Sequence, residues 1–144
     1  MPKPMNGRIV MRRWIFVVAI LVCLLPQAKA TDDVADGQKI IRAQEQAIAR
    51  DDASGAYSYA SPVLQTIFGE PDIFLQMVRR NYAPVYRHRS FEFGEGRASD
   101  GNIAQIVFIT DADGAEWEAL YTLERDKDGN LKITGCTLKK SASA

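Results

Sequence analysis

The chain is nearly devoid of the residues on which most protein chemistry is built. Among its 144 residues there are one histidine and two cysteines. One imidazole leaves no pair for a histidine-based metal site, and a Ser-His-Asp arrangement is open only if His88 itself serves. Cys23 lies in an N-terminal apolar run, and removal of that run leaves Cys136 alone, which excludes an internal disulfide and a zinc site of clustered thiolates. Net charge is lacking too, with 18 bases against 18 acids. The first thirty residues hold five of the bases, Lys3, Arg8, Arg12, Arg13 and Lys29, and no acid. The remainder therefore has 13 bases against 18 acids, a balance of −5. Such a surface offers no basic field for nucleic acid or anionic lipid.

What the N-terminus does have is the pattern of an export signal. Arginines precede an eleven-residue apolar run from Ile15 to Leu25, Pro26 ends it, and Ala28-Lys29-Ala30 places small residues at a cleavage site. A membrane span needs roughly 20 apolar residues. The run thus reads as a signal over residues 1–30, cut after Ala30, with an uncleaved anchor as the competing reading. The mature chain is expected to start at Thr31, to be periplasmic or secreted, and not to span a membrane. Met11 is a second candidate start and leaves the cut unchanged. Arg12-Arg13-Trp14-Ile15-Phe16 half-resembles a twin-arginine signal but lacks the polar residue ahead of the arginines. Val22 stands before Cys23 where a lipoprotein signal has a small residue, so no lipid anchor is expected.

The remaining 114 residues suffice for one domain, expected over 31–140 with a disordered tail at 141–144. Val34, Ile40, Ile41, Ala47 and Ile48 recur at helical spacing, which predicts an amphipathic helix over 34–50 with Arg42, Glu45 and Arg50 on its other faces. Gln44 falls on the inward stripe, where a buried amide must find partners. Asp51-Asp52 caps a short helix through Tyr59, Ser61-Pro62 starts another that Gly69 stops, and Pro71-Asp72 starts a third carrying Ile73, Phe74, Met77 and Val78. Ala83-Pro84 is expected to end the helical half.

From Arg87 the period changes to two. Asp100-Gly101, Asp113-Gly114 and Asp128-Gly129 punctuate runs at about 88–97, 102–110, 115–125 and 131–138, which predicts a four-stranded antiparallel meander. Alternation turns Trp117, Ala119, Tyr121 and Leu123 toward the helices and Glu116, Glu118 and Glu124 away. Phe91 and Phe93 point inward, and Arg87 and Arg89 share their parity. The second strand is apolar on both sides, so Ile106 and Phe108 face outward and call for a cover: a second copy pressed sheet to sheet, a loop, or the tail. A change of facing at Gly135 suggests a bulge. The fold class is α+β, N-terminal helices packed on a curved antiparallel meander.

The order of Ile40-Ile41-Arg42-Ala43-Gln44-Glu45-Gln46-Ala47, Asp51-Asp52, a Tyr-rich short helix, Ser61-Pro62, and a meander ending Leu131-Lys132-Ile133-Thr134-Gly135-Cys136 resembles the nuclear transport factor 2-like, cystatin-like cone folds. More narrowly it looks like the bacterial exported domain of unknown function 4864, over about residues 34 to 140. The resemblance implies helices wrapped around a bent sheet, often with a pocket between them. Some cone-fold relatives are isomerases or dehydratases, and many only bind or dimerise.

Few residues qualify for chemistry. His88 shares parity with Ser90 and Glu92 and reads as a solvated surface histidine. Arg89, at the inward mouth beside Phe91, could meet an anionic ligand. Glu124, Asp126, Asp128 and Gly129 imitate a calcium loop, but Gly135 stands where the bidentate Glu belongs, so a hairpin turn is expected and no metal. Cys136 is a small buried filler or, if exposed, an interchain partner. The expected ligand pocket is lined by Gln44, Tyr57, Arg89, Phe91, Trp117 and Tyr121, and the expected interface by Ile106 and Phe108. Inward positions lack an acid, so no catalytic residue and no cofactor are assigned. The sequence favours a non-enzymatic module that holds a small amphipathic or anionic ligand, or a partner such as a second copy against the outer sheet. The alternative is an isomerase or dehydratase using Asp51 or Asp52 with Tyr121 or Arg89.

Overall fold

The computed structural model describes residues 25–142; the greater part of the expected signal, residues 1–24, lies outside them. Helix α1 runs from Leu25 to Ala49, longer at its start than the apolar periodicity predicts. It ends where Asp51 turns left-handed, at φ 56°, so that the Asp52 N–H reaches back to the Ala47 carbonyl at 2.9 Å. Asp51 therefore closes α1, while Asp52 alone caps α2 (Ala53–Ser58), its carboxylate accepting from Gly55 N–H at 2.9 Å.

Ser61 caps α3 (Pro62–Phe68), and Gly69, at φ 75°, stops it. This helix buries no residue of its own. Helix α4 (Pro71–Asn81) presents Phe74, Leu75 and Val78 to the core. The helical half does not end at Ala83-Pro84. A further turn, α5 (Ala83–Tyr86), holds Pro84 in its first turn, where a missing N–H leaves no helical hydrogen bond unmade.

Four strands follow, β1 (His88–Ser99), β2 (Asn102–Asp111), β3 (Glu116–Arg125) and β4 (Leu131–Lys140), paired antiparallel in sequence order. Asp100 and Gly101 both take positive φ, 51° and 80°, the left-handed pair that a tight hairpin turn requires. The other two hairpins share one device. Asp111 Oδ1 accepts from the N–H of Asp113 and of Ala115, and Asp126 Oδ1 accepts from Asp128 and Asn130, all at 2.9 Å. Asp126 is thereby committed to its own turn, and among the described residues no cluster of His, Cys, Asp or Glu could hold a metal.

One sheet face is covered by α1, which packs on β1, β2 and β4. Ile103, Val107, Ile109, Ala119, Tyr121, Leu123, Leu131 and Ile133 point into this layer beside Ile41 and Ile48 of α1. The close approach of α1 requires Gly96, because a Cβ there would lie 2.6 Å from Val34 Cγ1 and 2.3 Å from Gln105 Oε1. Register slips occur in β4 opposite Thr122 and Leu123, where the change of facing at Gly135 was expected, and twice in β1, where none was. Gln105, fully buried, secures the slip between Phe93 and Gly96. Its Nε2 donates to the Gly94 carbonyl at 3.0 Å and its Oε1 accepts from Gln38 Nε2 at 3.0 Å. Just past β4, Ser141 N–H donates to Glu116 O at 2.9 Å; of the tail expected at 141–144, residues 143–144 lie outside the described residues. No helix among the described residues is long and apolar enough to cross a membrane.

Candidate functional site

A pocket of about 200 Å³ opens between the helices and the inner face of the sheet. Helix α1 contributes Gln44 and Ile48, α3 contributes Leu64 and Phe68, and α4 contributes Phe74, Met77 and Val78. Tyr82 and Val85 lie at the α4–α5 junction, and Tyr121 with Gly135 and Cys136 forms the sheet wall. The lining is mainly apolar, and none of these residues is a carboxylate, an imidazole or a cation.

Its polar groups are held neutral by their surroundings. Tyr121 is 2% exposed, and burial, reinforced by the nearby Cys136, pushes its phenol well above the usual range. It stands opposite Cys136 across the strand pair. Burial pushes the Cys136 thiol up to about 12, the nearby Tyr121 hydroxyl offsetting only part of the effect. Tyr82 is raised by burial as well, and its hydroxyl donates to the Cys136 carbonyl at 3.0 Å. Cys136 is thus neither a fully buried filler nor an exposed thiol: it is half-buried at the pocket wall.

Of the residues expected to line a pocket, Gln44 and Tyr121 meet here. Tyr57 stands behind Phe74, ring centroids 5.9 Å apart, and its hydroxyl donates to the Gln65 carbonyl. Phe91 is buried in the core, its ring against His88, Phe93 and Tyr121. Trp117 lies at the far end of β3, its indole N–H donating to Asp111 Oδ2 at 2.8 Å. Arg89 is exposed. It is the extra residue in the slip between His88 and Ser90, and one unpaired residue reverses the facing of those before it. The expectation of an inward arginine that meets an anion is therefore corrected.

The same slip overturns the reading of His88 as a solvated histidine. Its side chain is 12% exposed, with Nε2 2.8 Å from Glu45 Oε1 and Nδ1 3.2 Å from the Pro84 carbonyl. Both ring nitrogens are thereby engaged, one by the Glu45 carboxyl group and the other by a backbone carbonyl. Glu45, expected on an outer face of α1, is likewise 12% exposed between the layers. Its other oxygen accepts from Arg42 Nη1 at 3.1 Å, and Arg42 continues to the Phe91 carbonyl at 3.0 Å while stacking on Phe91 and Phe93. An acid does lie between helix and sheet, contrary to the alternation. Both of its oxygens are occupied, and it does not line the pocket.

Asp51 and Asp52 are outside the pocket too. Asp51 Oδ1 accepts from the Tyr86 hydroxyl at 2.7 Å and from Arg79 at 3.1 Å, and Oδ2 accepts from Arg87 at 3.0 Å. The Tyr86 and Arg79 bonds hold this carboxyl below its usual range. On the opposite sheet face Phe108 and Leu120 are 49% and 42% exposed, with Ile106 beside them and half-buried.

Leu64, Phe68, Phe74, Met77, Val85 and Cys136 line the pocket without being singled out for it by the sequence. The helical spacing of Phe74, Met77 and Val78 marks an inward face but does not distinguish a filled core from a hollow one. The family model described as Domain of unknown function (DUF4864) matches residues 30–144. No curated protein matches the chain.

Proposed function

The chain belongs to the family of that domain of unknown function, and from this premise we propose that it is a non-enzymatic module that binds a small molecule in the pocket between α1, α3, α4 and the sheet. One observation carries the reading: a cavity of about 200 Å³ whose walls are apolar and aromatic, with a few convergent polar groups and no carboxylate, imidazole or amine among them. An isomerase or dehydratase using Asp51 or Asp52 would need that carboxylate at the substrate, and Asp51 is held at the surface by Arg79, Arg87 and Tyr86. The order of helices and meander supports placing the domain with the nuclear transport factor 2-like cones.

Export belongs to the same proposal, with cleavage after Ala30 and action in the periplasm or outside the cell. Asp33, paired with Arg125, Val34, against Gly96, and Ile48, whose carbonyl accepts from Arg87, tie α1 to the second half of the chain. These three residues lie beyond the cut, so the mature helix keeps their contacts. Native mass spectrometry of the chain from Thr31, purified without denaturation, tests the binding reading. A retained small molecule is expected, and it should be lost when Met77→Trp fills the cavity. Retention unchanged by that substitution would place the ligand elsewhere.

The exposed Phe108 and Leu120 favour a second reading in which two copies associate through the outer sheet face. Sedimentation is expected to show a dimer that Phe108→Glu dissociates. A wild-type monomer at high concentration removes this reading and leaves the pocket untouched.

A further inference from the structure

Gln44 is 5% exposed and only partly used. Its Nε2 donates to the Ala56 carbonyl at 3.1 Å, an acceptor that fixes which end of the amide is nitrogen. No described group donates to its Oε1. Every enclosed side-chain nitrogen or oxygen among the described residues has a partner, so this oxygen is not sealed in protein, and the space that Gln44 lines is the pocket. Of the neighbouring hydroxyls, that of Tyr82 is already committed to the Cys136 carbonyl.

Water can meet this acceptor in the open pocket, and a ligand that displaces the water without a donor of its own leaves the oxygen unsatisfied. A charged ligand would lose its hydration with no opposite charge on the walls to replace it. Size sets the remaining limit, since an apolar cavity of roughly 150 Å³ is enough for benzene and this one measures about 200 Å³. We propose that the pocket selects an uncharged compound of single-ring size bearing a hydrogen-bond donor, the phenol class, and that Gln44 Oε1 is the atom that receives the donor. This rests on the reading of the cavity as a ligand site, and adds to it the chemical class and the recognising atom.

Calorimetric titration of the purified protein with phenol, toluene and benzoate tests it. Phenol is expected to bind and benzoate not to. In Gln44→Met, similar in volume but without the acceptor, the ratio of phenol to toluene affinity should fall about tenfold, the loss of one hydrogen bond. That ratio cancels size and general hydrophobicity. An unchanged ratio, or benzoate binding as tightly as phenol, overturns the inference while leaving the pocket reading in place. Failure of all three compounds to bind overturns the pocket reading itself. Should Gln44→Met not fold, the unaltered protein decides. Its Gln44 side-chain carbonyl resonance should shift with phenol and not with toluene, and a shift with both, or with neither when both bind, counts against Gln44 as the receiving atom.

Discussion

Cys136 is the one cysteine among the described residues, and its environment makes it a poor nucleophile. Burial is the larger influence, and it holds the thiol protonated up to about 12. Alkylation by iodoacetamide at pH 8 should therefore be at least about tenfold slower in the folded protein than in urea, where an ordinary thiol pKa near 8.5 returns. Equal rates would mean that Tyr121 and the pocket wall do not enclose the sulfur. The residue was legible in the sequence as a strand position of uncertain facing. What could not be read was that it faces a buried tyrosine, because that depends on the β4 slip which sets Cys136 opposite Tyr121.

At the level of elements, α1 is tied to the start of β1 by His88 and Glu45, with Arg42 bracing the carboxylate. A double-mutant cycle with Glu45→Gln and His88→Gln should return a coupling of about 1 kcal/mol in urea unfolding, as for a largely buried hydrogen bond. A coupling near zero would show that the contact is incidental. The meander and its three hairpins were plain in the sequence, since Asp-Gly steps and period-two alternation are local signals. The facing of Arg89 and His88 was not, because a single bulge inverts parity and nothing local marked this one. Glu45 was misplaced for a different reason. A helical wheel sorts by polarity, and a carboxylate that finds a histidine and an arginine can sit on the inner side.

At the scale of the whole molecule, three carboxylates among the described residues have lowered pKa values: Asp51 chiefly through Tyr86, Asp111 through the Trp117 indole, and Asp126 through the Asn130 N–H. A carboxyl lowered by folding stabilises the native state above its unfolded value, and that contribution fades as pH falls toward the folded one. The unfolded reference is 3.8 for each. The urea midpoint should consequently drop as pH is taken from about 5 to about 3, and drop less steeply in Asp51→Asn. A midpoint independent of pH across that interval would remove these contacts from the stability of the fold.

Helix α3 sits against the pocket through Leu64 and Phe68 yet buries no residue, and Val63 and Ile67 on its other side are 69% and 66% exposed. It is therefore the segment that can come away with least loss of packing, while α1 and the sheet stay intact. Its amides should take up deuterium well before those of β2 and β3, and slow down when the cavity is filled. Entry and escape of a guest would then be timed by seven residues fraying at the rim, and not by the unfolding of the body that holds it.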